Sequence, residues 1–156
     1  MALKKGDRAP AFTLYDTEKK SRSLSEFLGK KTVLVFYPGA FTGVCTKEMC
    51  TFRDSLASFE SLKAQVVGIS IDSPFANKAF AALNKLTFPL LSDFSREVSK
   101  SYGGLQEDFS GLKSYITSKR AVFVLDSAGI VQYAWVTDTP GVEPPYAEVE
   151  KALSSL

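Results

Sequence analysis

The hydrophobic period of this chain changes sharply around one cysteine. Thr32 to Tyr37 (TVLVFY) is dense in β-branched and aromatic residues and reads as a buried strand, whereas Thr46 to Leu62 (TKEMCTFRDSLASFESL) carries apolar residues at helical spacing. The turn between them, PGAFTGVC, holds Pro38, Thr42 and Cys45. A strand that feeds a helix across a short turn constrains the fold to a sheet with helices packed on it. It also sets Cys45 at the opening of the helix. There, unsatisfied backbone N–H groups and the positive end of the macrodipole favour thiolate over thiol, so the pattern is that of a nucleophile site.

The chain has no histidine, which removes every mechanism that needs imidazole: Ser-His-Asp and Cys-His nucleophiles, and nearly all zinc hydrolase sites. Cys45 has no general base, and its thiolate is expected from a lowered pKa instead. No metal site and no cofactor are expected, and no Gly-x-Gly-x-x-Gly follows a strand, so a nicotinamide cofactor is not indicated.

The rest of the chain alternates. Strands are expected at about Thr32–Tyr37, Gln65–Ile71, Ala121–Leu125 and Ile130–Val136, and helices at Ser23–Leu28, Thr46–Leu62, Phe75–Asn84, Ser95–Tyr102 and Pro145–Ser154. Asp126 to Gly129 (DSAG) reads as a hairpin turn, which makes the sheet mixed, and Gln106 to Lys119 reads as the long loop. The fold class is therefore α/β, a central mixed β-sheet covered by helices on both faces. With 156 residues and 45% hydrophobic content, one domain over 1–156 is expected. The 19 basic and 17 acidic residues form no basic stripe, so nucleic acid and anionic membrane are not expected partners. No segment approaches the ~18 to 20 apolar residues of a membrane span, and MALKKGDRAP lacks the apolar core of a signal peptide. The cytoplasm is the expected compartment, where two cysteines five residues apart suit catalysis, redox sensing or metal binding better than a structural disulfide.

The spacing Pro38, Thr42, Cys45 resembles the Pro-x-x-x-Thr-x-x-Cys signature of the peroxiredoxins. The resemblance extends along the chain: GDRAPAF (Gly6–Phe12) is similar to the family's amino-terminal segment, FPLLSD (Phe88–Asp93) to its middle strand and following turn, and Arg120 stands where the family has its active-site arginine. Cys50 gives the Cys-x-x-x-x-Cys spacing of the bacterioferritin-comigratory, or peroxiredoxin Q, subgroup, although Gly39, Ala40 and Phe41 depart from the polar residues common there. The resemblance implies a thioredoxin-like fold and a thiol-dependent peroxidase that reduces hydrogen peroxide and organic hydroperoxides. It implies a thioredoxin-like or glutaredoxin-like protein as reductant, and a monomer or homodimer. The implied catalytic residues are Cys45, Cys50, Thr42, Arg120 and Pro38, with substrate contacts from Thr42, Val44, Arg120 and Glu48. Pro38 would shield the thiolate and Thr42 would bond the peroxide oxygen. Arg120 suits the role because its charge survives burial and its planar fork can hold sulfur and oxygen together.

Several residues keep a plainer reading beside the functional one. Thr42 fits an N-cap and Pro38 a strand end. Glu48 complements the macrodipole or orients Arg120. Arg53 is a second site cation or the partner of Asp54 or Glu60, and Trp135 is a core or interface anchor. Phe41, Val44 and Trp135 would form an apolar rim, with Phe41 and Phe75 available for a dimer contact. A disulfide reductase of the same fold wants Cys-x-x-Cys, and nothing in the sequence speaks for a holdase.

Cys50 is constrained by helix geometry. Five residues put the two Cα atoms about 7.5 Å apart along the axis, with side chains roughly 140° apart around it. Disulfides usually need Cα atoms within ~7 Å and converging Cβ vectors. If Cys50 resolves an oxidised Cys45, the first helical turns must melt over Thr42 to about Phe52; otherwise Cys50 is a packed small residue and an external thiol resolves Cys45.

Overall fold

The structure is a computed structural model that describes residues 2–156. It begins with a hairpin, β1 (Thr13–Tyr15) and β2 (Ser21–Ser23), and a short α1 (Leu24–Phe27). Strand β3 (Lys31–Phe36) follows, buried from Thr32 onward on both faces, as a continuous β-branched run requires. Next come α2 (Gly43–Asp54), α3 (Leu56–Ser61), β4 (Ala64–Ser70), α4 (Pro74–Asn84), β5 (Leu90–Ser92) and α5 (Glu97–Tyr102). The two-residue strands β6 (Leu105–Gln106) and β7 (Thr117–Ser118) pair with each other, and β8 (Arg120–Leu125), β9 (Val131–Thr137) and α6 (Tyr146–Ser154) complete the chain.

The main sheet runs β2-β1-β5-β4-β3-β8-β9. β3, β4 and β5 are parallel, and the outer pairs are antiparallel, so the sheet is mixed as expected. On one face Val33, Val35 and Tyr37 pack against Met49 and Phe52 of α2, Phe80 of α4 and Leu153 of α6. On the other, Leu34 and Phe36 pack against Phe27 of α1 and Tyr102 of α5. Gly68 of β4 sets how closely α2 lies on the sheet: a Cβ there would stand 2.8 Å from Met49 Cε and 2.7 Å from Leu90 Cδ2.

Three expectations need correction. The helix expected over Thr46–Leu62 starts earlier, at Gly43, and breaks at Ser55, where the last turn of α2 tightens and the Ser55 N–H is shared between Thr51 O and Phe52 O, each at 3.1 Å. The β1–β2 hairpin is absent from the expected strands because three-residue strands, with only Leu14 buried in β1, carry almost no period. The Gln106–Lys119 loop is tied at its ends by β6 and β7 and contains a 3₁₀ turn, Phe109–Gly111. The Asp126–Gly129 turn is as expected, with Asp126 Oδ1 accepting from Ala128 N and Ile130 N.

Candidate active site

The chain leaves β3 at Phe36, and Tyr37, Pro38 and Gly39 stay buried as it turns toward α2. Ala40 N donates to Asp72 Oδ2 at 2.8 Å, which fastens this turn to the end of β4. Phe41 adopts a left-handed conformation (φ 68°) that non-glycine residues seldom take, and its ring packs edge-on against Phe80. Thr42 is the N-cap, so Cys45 is the third residue of α2, among the first N–H groups that have no intrahelical acceptor. The Thr42 hydroxyl does not cap. It donates to Gly39 O at 2.7 Å, which braces the turn and leaves its lone pairs to accept.

Arg120 enters from β8, buried to 1% exposure. Nη1 donates to Cys45 Sγ at 3.3 Å and to Glu48 Oε1 at 2.8 Å, while Nε and Nη2 both donate to Pro140 O, at 3.1 and 2.7 Å. A guanidinium has five N–H donors. Four are engaged, and the fifth, on Nη2, is uncommitted among the described residues. Lys119, its neighbour, pairs instead with Asp138.

The electrostatic balance corrects the expectation of a simply lowered thiol pKa. Cys45 has no exposed surface, and burial pushes its thiol up; the Arg120 guanidinium pulls it down, and the Thr42 side chain and Gly39 main chain pull the same way. Burial wins in the resting site, a contribution that the sequence cannot display. Glu48 lies three residues after Cys45 on the same inward side. Burial pushes its carboxyl up to about 8, against the pull of Arg120, and its Oε2 is buried without a partner. One guanidinium thus faces two acids, Cys45 and Glu48, and neutralises only one charge. Replacing Glu48 by Gln is therefore expected to move the Cys45 thiolate titration to lower pH, because a competing negative charge is removed. Ultraviolet thiolate absorbance reads this, and an unchanged or higher midpoint would separate the two acids.

The cleft over this site is lined by Thr42, Gly43, Val44, Phe109, Arg120 and Pro140 among others. The structure brings Thr42, Val44 and Arg120 together in the cleft, while Glu48 is fully buried and outside the lining. The expected apolar rim is different: Phe41 turns to Phe80 and Trp135 packs on the core beneath the helices, so Phe109 replaces them. Arg53 pairs with Asp54 at 2.9 Å rather than entering the site. Asp72, Phe109 and Pro140 escape a sequence reading because a long-range carboxylate, a loop aromatic and a main-chain carbonyl have no local signature. Cys50 lies half-buried on α2, with no disulfide to Cys45.

A cysteine in the first turn of a helix, laid on a mixed sheet and bonded by a buried arginine, is a candidate thiol site on a thioredoxin-like fold. The chain belongs to the AhpC/TSA family, whose sequence model matches residues 5–134, and this bears out its likeness to the peroxiredoxins. It is 45% identical over 131 residues to a chloroplastic peroxiredoxin Q of Sedum lineare, covering 84% of this chain and 68% of that one. It is 44% identical over 130 residues to the chloroplastic peroxiredoxin Q of Populus jackii, covering 83% of this chain but only 59% of the relative's length. Among solved structures, peroxidoxin BcpB from Mycobacterium tuberculosis matches with a TM-score of 0.81 at 34% identity, covering 98% of this chain and 96% of that one. A peroxiredoxin Q structure from Xylella fastidiosa matches with a TM-score of 0.86 at 27% identity, covering 99% and 98%. Among the described residues, no helix is long and apolar enough to cross a membrane.

Proposed function

We propose that the chain acts as one domain that reduces hydrogen peroxide and organic hydroperoxides with Cys45 as the attacking thiol. The observation that carries this reading is the 3.3 Å bond from the buried Arg120 Nη1 to Cys45 Sγ. A thiolate there attacks the distal peroxide oxygen, the O–O bond breaks, and the leaving oxygen takes a proton to depart as water or alcohol, leaving Cys45 as sulfenic acid. The uncommitted Nη2 N–H of Arg120 and the first N–H groups of α2 are donors for the charge that develops on the departing oxygen. Thr42 accepts the peroxide O–H, and buried Pro38 keeps water from the sulfur. Val44 and Phe109 give the cleft an apolar side for alkyl groups. Glu48 holds Arg120 rather than substrate.

Cys50 then resolves the sulfenic acid as an intramolecular disulfide, which a thioredoxin-like or glutaredoxin-like protein reduces. The working place is the cytoplasm, as a monomer or as a homodimer through the exposed Phe41 and Phe75. The test is a single turnover of reduced protein with hydrogen peroxide, read by intact mass: an internal disulfide supports the reading, a lasting sulfenic acid favours resolution by an external thiol, and no change removes peroxidase activity. Cys50→Ser is expected to consume one equivalent of peroxide, stall with a thioredoxin-type reductant, and reach irreversible sulfinic acid at lower peroxide than the wild type. Normal turnover of that variant with the same reductant would exclude Cys50.

A further inference from the structure

The far half of α2 is fastened by contacts that peroxide attack does not use. Asn84 ends α4, and Lys85, in the left-handed conformation (φ 53°), terminates the helix and leaves the Asn84 carbonyl outside its ladder. The Asn84 amide Nδ2 donates to Phe80 O at 3.0 Å, which fixes the direction of Oδ1. Oδ1 accepts from the Cys50 thiol at 3.7 Å, and Asn84 O accepts from Arg53 Nη1 at 2.6 Å. Cys50 and Arg53 are three residues apart, on one side of α2, so one residue of α4 holds two successive turns of the neighbouring helix. That post is itself fixed. Ser73 Oγ caps α4 by accepting from Ala76 N, and buried Asn77 accepts from the Tyr37 hydroxyl at 2.8 Å.

We propose that Asn84, with Arg53, is a clasp on the resolving cysteine that sets the rate at which Cys50 reaches oxidised Cys45. The proposal rests on the reading of Cys50 as the resolving residue. In the folded helix the two sulfurs point to different sides, so the turns from Thr42 to about Phe52 melt before they meet; the Cys50 bond to Asn84 breaks in that melting, and the Arg53 bond holds the turn at its edge against it. The Cys50 thiol gives up its proton and its sulfur attacks the sulfur of the Cys45 sulfenic acid. The S–O bond breaks, the hydroxyl leaves with that proton as water, and the S–S bond forms with no further oxidant: the Cys45 sulfur is formally reduced by one electron, the Cys50 sulfur is oxidised by one, and the disulfide holds the two-electron oxidation that the peroxide supplied. While the clasp is closed, a second peroxide competes for the sulfenic acid and carries it to sulfinic acid. The clasp therefore adjusts sensitivity to overoxidation without touching the peroxide pocket.

The test uses the full chain with hydrogen peroxide, rapid quenching, thiol alkylation and intact mass, which separate sulfenic acid formation from disulfide formation. Asn84→Ala and Arg53→Met are expected to leave the first step within about twofold of the wild type. Both should speed the second threefold to tenfold and raise in proportion the peroxide needed for sulfinic acid. Ala79→Gly, on the exposed side of α4, weakens that helix without touching the clasp and should leave the disulfide step at its wild-type rate. A disulfide that forms no faster in both clasp variants, or equally faster in Ala79→Gly, overturns the clasp alone. Absence of any Cys45 to Cys50 disulfide in the wild type overturns the resolving role and the clasp with it.

Discussion

Cys45→Ser is expected to leave a folded protein that no longer consumes hydrogen peroxide, a loss on the order of a thousandfold or more, as for removal of an essential nucleophile. Serine differs from cysteine by one atom, and Arg120 Nη1, 3.3 Å from the sulfur, can donate to a hydroxyl in its place, so packing survives. Reactivity does not. A serine nucleophile needs a base to take its proton, and this chain has no histidine; one buried guanidinium that already struggles against burial to ionise a thiol cannot ionise an alcohol. Stopped-flow consumption of peroxide, with circular dichroism as the fold control, reads the outcome. Retained consumption would move the nucleophile to Cys50, the other cysteine of the chain.

What could be read from the sequence follows the range over which each signal acts. The β3 run and the period of α2, α4 and α6 are local, and they appear within a few residues of where they were expected. Pro38, Thr42 and Cys45 are equally local, since one strand-to-helix turn carries all three. Glu48 is three residues from Cys45, so a helix alone aims the two the same way. Arg120 is different: it lies 75 residues from the cysteine it bonds, and only the family likeness pointed to it. Pro140 O, Asp72 and Asn84 act through the folded arrangement, and nothing in their residue types announces it. The burial of Cys45 belongs to the same class, and it reversed the expected direction of the thiol's pKa because desolvation is a property of the packed molecule. The break at Ser55 is a local event, a tightened turn in which the Ser55 N–H is shared between Thr51 O and Phe52 O, while the helical period continues across it.

Arg120→Met is expected to slow the reaction with peroxide by at least about tenfold, or about 1.4 kcal/mol of barrier. Two separable losses combine. Arg120 is the largest influence opposing burial at Cys45, so without it the thiol's pKa rises further and the thiolate fraction falls at any pH below the new value. That part of the loss is greatest at low pH and is recovered as pH climbs through the raised pKa. The second part is the missing donor for the departing oxygen, which no pH restores, so the variant's profile should shift to alkaline pH and level off below the wild type. The fold should persist, because Glu48 without its partner is left to burial and to the negative charge of Glu143, both of which favour the neutral carboxylic acid. Pro140 O loses both of its Arg120 donors, which loosens the cleft wall and reinforces the lower plateau. Thiolate absorbance against pH, measured beside the peroxide rate over the same range, separates the two parts. A profile that rises at alkaline pH to the full wild-type plateau would confine Arg120 to tuning the thiol, and an unchanged titration with an unchanged rate would remove it from the site.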